Sequence, residues 1–180
     1  SVFKKVDLLL KSGYSNFKIA VNLSDVQLRN QKLITYVKYL CDIYKIDGRY
    51  IEFEITEGIL IKSYEDTLRS LYELKKLGST IALDDFGTGY SSLNYLTKLP
   101  IDALKIDRSF VIDMIENHKS RWIVENIIQL SHKLGIEVVA EGVELEEQVD
   151  YLKSILCDIV QGYFYSKPES FEKVVNLLEK

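Results

Sequence analysis

Apolar residues recur along the chain with two alternating periods. Val2, Val6, Leu9 and Leu10 stand at helical spacing until Gly13, and residues 17–23 then read as a strand. Leu33, Val37, Leu40 and Tyr44 predict an amphipathic helix closing near Gly48, followed by a β-rich strand over residues 50–55. Ser63 with Asp66 offers a cap for a helix that carries Leu68, Leu71 and Leu74 and stops at Gly78. Strands are predicted over residues 80–84 and 102–106. Ile123, Ile127, Leu130 and Leu134 mark a helix ended by Gly135, and a fifth strand covers 137–140. Val149, Leu152 and Leu156 predict another helix, residues 157–161 the sixth strand, and Phe171, Val174, Val175 and Leu178 the last helix. Six βα units in series make an α/β chain with a parallel sheet covered by helices.

An open doubly wound sheet and a closed barrel both satisfy this order. The strand ends favour the barrel. Residues two apart share a face, and each strand turns a polar group to one face at or near its C-terminal end: Asn22, Glu54, Asp84 or Asp85, Lys105, Glu141 and Gln161. A barrel gathers such groups on one rim, where the active sites of TIM barrels lie.

Length and composition set outer bounds. The 180 residues suit one domain, and 47% hydrophobic with 28% charged residues is ordinary globular composition. A net charge of −4 gives no footprint for a DNA or RNA duplex. No apolar run approaches the roughly 20 residues of a membrane span, and no signal-peptide pattern opens the chain; a cytoplasmic setting is the expectation. Cys41 and Cys157, far apart and outside any Cys-x-x-Cys spacing, read as reduced core thiols. The chain opens without Met inside a helical pattern, so it is expected to be a piece of something longer.

The candidate chemistry centres on residues 81–92, Ile-Ala-Leu-Asp-Asp-Phe-Gly-Thr-Gly-Tyr-Ser-Ser. Adjacent carboxylates at a strand end repel unless a cation lies between them. A lone Asp-Asp is more often a helix cap beside a solvated acid, but here the same design recurs on every strand. Carboxylates with Asn and Gln oxygens suit Mg²⁺ or Mn²⁺; Zn²⁺ would want His or Cys. His118 and His132 have no partner at i+4 and read as helix-surface residues. Lys105 either holds an anionic substrate or a water, or snorkels to solvent. Glu52 reads as a solvated or paired strand residue and not a ligand. There is no Ser-His-Asp pattern and no Walker A loop, and Asp85-Phe86-Gly87 lacks the other kinase motifs. The residues alone reach a Mg²⁺- or Mn²⁺-dependent barrel enzyme with phosphoester hydrolysis as the leading reaction.

Six segments carry a resemblance further. Val21-Asn22-Leu23-Ser24, Glu54-Ile55-Thr56-Glu57, the stretch from Asp84 to Leu93, Lys105-Ile106-Asp107, Ala140-Glu141-Gly142-Val143-Glu144 and Gln161-Gly162-Tyr163 together resemble, in order and spacing, the EAL domain, a bacterial phosphodiesterase of cyclic di-GMP. The resemblance implies a modified (β/α)₈ barrel and two-metal hydrolysis to linear pGpG. By this likeness Asn22, Glu54 and Asp84 match ligands of one ion, with Asp84 bridging to a second held by Asp85. Lys105 matches the holder of the catalytic water, Glu141 an acid at the metal centre, and Gln161 an orienting amide. Glu57 resembles the brace of the loop 85–92, which contains Thr88, Gly89 and Ser91, and Glu144 a supporting acid. A homodimer, and an upstream sensor or GGDEF-type cyclase in a parent that can still be membrane-anchored, are also implied.

The Glu-Ala-Leu segment itself is not in the chain. By the resemblance it belongs to strands upstream of residue 1 and supplies another metal-ligating glutamate. Residues 1–180 are therefore expected to form a single, incomplete EAL-type domain, a barrel without its first two strands, weak or inactive alone. A non-catalytic cyclic di-GMP receptor and a dimerisation module acting through residues 90–96 are the alternatives.

Overall fold

The computed structural model describes residues 1–62, 64–87 and 96–178; Ser63, the proposed cap, and most of residues 88–96, including Thr88, Gly89 and Ser91, lie outside them. Among the described residues six strands, β1 (Ile19–Asn22), β2 (Ile51–Thr56), β3 (Thr80–Phe86), β4 (Ala103–Ile106), β5 (Glu137–Glu141) and β6 (Ile159–Gln161), form one sheet in sequential order, and every pairing is parallel. Among the described residues the helices before, between and after them are α1 (Val2–Lys11), α2 (Asp25–Leu28), α3 (Lys32–Tyr44), α4 (Glu57–Lys62), α5 (Tyr64–Lys76), α6 (Arg108–Asp113), α7 (His118–Lys133), α8 (Glu146–Ser154) and α9 (Phe171–Leu178). Strands lie about 4.8 Å apart, so a flat sheet would hold β1 and β6 on the order of 24 Å from each other. Yet Lys18, just before β1, and Ile159 of β6 line one cavity of about 760 Å³. The sheet is curled into a partial barrel.

The two faces of the sheet divide the sequence by parity. Phe53, Ile55, Ile81, Leu83, Leu104, Ile106, Val138 and Ala140 point outward and are buried under the helices. The other parity faces inward: Asn22 pairs in register with Glu54, Glu54 with Ala82, Ala82 with Ala103, Lys105 with Val139, and Glu141 with Gln161. The sheet is anchored at its N-terminal end by one device used twice. Asp102, before β4, accepts from the Ile81 amide of β3, and Asp158, before β6, accepts from the Val138 amide of β5.

Several boundaries differ from expectation. β1 begins at Ile19 and β6 at Ile159. A 3₁₀ turn, Gly48–Tyr50, occupies the start assigned to the second strand, because Asp47 caps it through the Arg49 amide. Leu156 lies outside α8: it adopts φ 63° and is 74% exposed, so the helical spacing there was a coincidence of apolar residues. Cys41 and Cys157 are free but only partly buried. His132 is no bystander on its helix, since Nε2 lies 2.9 Å from Asp158. Of the two readings left open for Glu52, solvated or paired, the structure shows the paired one, with Thr80 and Lys18.

Candidate metal centre

The inner rim assembles from four strands. β3 carries a bulge: Leu83 pairs with Leu104 and Phe86 with Ile106, so Asp84 and Asp85 together face Lys105. Successive side chains of a regular strand diverge to opposite faces. The extra residue, with Asp85 at φ 55°, breaks that rule and brings both carboxylates to the same side. One oxygen from each of Asp84, Asp85 and Glu141 lies within 4.8 Å of the others. Sequence alternation left the choice between Asp84 and Asp85 open; the structure selects both.

Lys105 rises from β4 into this group. Its Nζ lies 2.6 Å from Glu54, 2.6 Å from Glu141 and 3.2 Å from Asp84, with the lysine side chain only 7% exposed. Ala82 stands beside Glu54 in register and Ala103 beside Ala82, so only small side chains occupy that row between β2 and β4, which Lys105 spans to reach Glu54. Burial alone would lower the lysine pKa, but Glu141 and Glu54 outweigh it and hold the ammonium above the ordinary lysine range. Snorkelling to solvent is excluded for this lysine. Burial pushes the Glu141 carboxyl up, with Asp84 and Glu54 adding to the effect and Lys105 opposing it. Asp85 is raised by burial, then by Asp84 and Asp107, against Lys105.

The remaining candidates surround this core. Asn22 ends β1 on the same face as Glu54, exposed. Gln161 ends β6 opposite Glu141, also exposed. Glu57 opens α4 and is buried; its Oε2 accepts from the Gly87 amide at 3.4 Å, and its Oε1 has no hydrogen-bond partner. Glu144 is exposed and paired with Arg108 at 3.4 Å. Two residues without an assigned role also belong here. Asp107 caps α6 through Ser109 and adds negative charge beside Asp85. Arg108 closes over Gly142, whose φ of 73° and lack of a side chain the contact requires; a Cβ there would lie 2.4 Å from that of Arg108. Arg108, Gln161 and Tyr163 border a recess of about 180 Å³ next to Glu141. The sequence signal for Asp107 and Arg108 was their place directly after β4.

The donor set is all oxygen, clustered and partly desolvated, and so fits a hard divalent cation. The cavity of about 760 Å³ opens at the opposite, N-terminal end of the strands and shares no residue with this cluster.

The EAL domain model matches residues 1–168. The chain belongs to the EAL domain family. The cyclic di-GMP phosphodiesterase NbdA of Pseudomonas aeruginosa is 39% identical over 157 residues, which cover 87% of this chain and 20% of NbdA. The bifunctional diguanylate cyclase/cyclic di-GMP phosphodiesterase MucR of the same organism is 34% identical over 96% of this chain and 25% of its own length. The chain thus spans only a fifth to a quarter of these curated relatives. Among solved EAL domains, that of Mycobacterium smegmatis DcpA superposes with a TM-score of 0.93 at 34% identity, over 98% of this chain and 80% of that one. The MucR phosphodiesterase in complex with c-di-GMP gives 0.91 at 34% identity, over 96% and 70%. The EAL fold, TIM-barrel-like and incomplete here, is as the sequence resemblance implied. No helix among the described residues is long and apolar enough to cross a membrane.

Proposed function

We propose that this EAL domain belongs to a phosphodiesterase that hydrolyses cyclic di-GMP to linear pGpG with Mg²⁺ or Mn²⁺. The observation that carries the reading is the convergence of Asp84, Asp85 and Glu141 around a buried, triply paired Lys105 at the C-terminal ends of parallel strands. Sequence similarity to NbdA and MucR supports it. Two cations bound there would supply charge to activate a water for in-line attack on phosphorus and to stabilise the departing 3′-oxygen. Asn22, Glu54, Asp84, Asp85 and Glu141 are the residues that would hold these ions. Lys105, kept charged by its neighbours, donates to the attacking water and positions it. Gln161 orients the same water, and Glu57 braces the loop that carries Thr88, Gly89 and Ser91. Glu144 supports the rim by holding Arg108. A homodimer and an upstream sensor or GGDEF-type cyclase complete the proposed setting.

Chromatography of cyclic di-GMP incubated with the protein and Mn²⁺ tests this. Product should be pGpG, abolished by EDTA and reduced about a hundredfold or more in Asp84→Asn, which loses a metal ligand. Undiminished pGpG from Asp84→Asn would sink the assignment. Nucleotide bound without product would identify a receptor instead. Turnover by residues 1–180 alone tests whether the ligands on these six strands suffice.

A further inference from the structure

A lysine that only steers a water needs one hydrogen bond for the task, yet Lys105 spends its contacts elsewhere. An ammonium has three donors, and Nζ lies within 3.2 Å of three carboxylates, Glu54, Asp84 and Glu141. These are among the oxygens a divalent cation at this rim would use. Without an ion, the lysine is held among these acids: its side chain is 7% exposed, its stem rises from the middle of the sheet, and Ala82 and Ala103 lie beside it in register. A Mg²⁺ ion requires its oxygens at about 2.1 Å in near-octahedral array. Each carboxylate gives the ammonium one of its two oxygens, and the lone pair used there is not offered to a metal. Two cations separated by only a few ångström inside a partly desolvated site also repel strongly.

We infer that Lys105 is an internal cation that competes with the metal for Glu54, Asp84 and Glu141. It holds the carboxylates together, lowers the affinity for divalent ions, and turns toward the substrate side only when a metal displaces it. This rests on the reading of the rim as a metal centre. The single lysine then couples metal loading to the placing of the attacking water, so a site without its ions also lacks a positioned lysine.

The test measures Mn²⁺ binding by electron paramagnetic resonance of the free ion, for the unsubstituted protein, Lys105→Met and Lys105→Gln, with folding followed by circular dichroism. Both neutral variants should bind Mn²⁺ about tenfold or more tightly, a change of roughly 1.4 kcal/mol. In EDTA both should melt below the unsubstituted protein, and Mn²⁺ should raise their Tm by more. Equal or weaker Mn²⁺ binding in the variants overturns the inference while leaving the phosphodiesterase reading in place, since hydrolysis by the unsubstituted protein is scored separately. No Mn²⁺ binding to any form overturns both. If neither variant folds, reductive methylation of the unsubstituted protein, read by mass spectrometry, decides: Mg²⁺ should speed Lys105 labelling, and unchanged labelling overturns the inference.

Discussion

Asp85 carries the sharpest conflict between stability and use. It sits in the left-handed region, which costs a non-glycine residue on the order of 1 kcal/mol though aspartate tolerates it better than most. Burial, Asp84 and Asp107 all disfavour its charged form. A carboxyl whose folded pKa is raised binds its proton more tightly in the folded state, so stability falls as pH rises through the window above its ordinary value of 3.8. Asp85→Asn should therefore raise the Tm in EDTA while abolishing hydrolysis, read by calorimetry and by pGpG release. A lowered Tm would mean that the carboxylate makes net favourable contacts. Residue identity told much of this in advance: the acids and Lys105 were legible because alternation put them on one face. The Asp84–Asp85 choice was not, because a bulge is set by pairing with β4. The His132–Asp158 contact was equally hidden, since it joins residues 26 positions apart.

Among the elements, the strands were readable to within a few residues because their outward positions form unbroken apolar sets. Short helices escaped notice. α2, α4 and α6 span 4, 6 and 6 residues, too few to repeat a helical period, and α2 is set instead by the capping box of Ser24 and Gln27. The junction after β6 was likewise invisible in pattern. There a Cβ on Gly162 would lie 2.0 Å from the Val143 carbonyl oxygen, a backbone atom that cannot yield cheaply. Gly162→Ala should thus destabilise the fold by roughly 1–3 kcal/mol, as overpacking does, and should pull Gln161 away from Glu141. Urea denaturation checks the first effect. An unchanged midpoint would show that β6 shifts freely.

For the whole molecule, the curl of the sheet concentrates charge in one place. Its outer surface is apolar and sealed, while the inner rim holds Glu54, Asp84, Asp85 and Glu141 around Lys105. Metal can bind only the ionised carboxylates, and burial raises both Asp85 and Glu141 above their ordinary values of 3.8 and 4.5. The Tm increase given by Mn²⁺ should be complete near neutral pH and shrink as pH falls, beginning before the ordinary carboxylate range is reached. Calorimetry with and without Mn²⁺ across a pH series measures it; an increase that persists undiminished to pH 4 would count against metal binding at these residues. The fold class was legible at this scale from the βα alternation. How far the sheet bends was not, because curvature depends on strand twist and pairing across the whole sheet.

The bulge in β3 has a genetic consequence. Leu83 faces out, Asp84 in and Phe86 out, so the alternation reads correctly with Asp85 removed. The second carboxylate is an insertion into an otherwise regular strand. Loss of its single codon would leave Phe86 aligned with Ile106 and the packed layer undisturbed, while deleting one carboxylate of the cluster. On the proposed two-ion reading, that chemistry can be gained or lost by one in-frame codon while the packed layer of the strand stays in register.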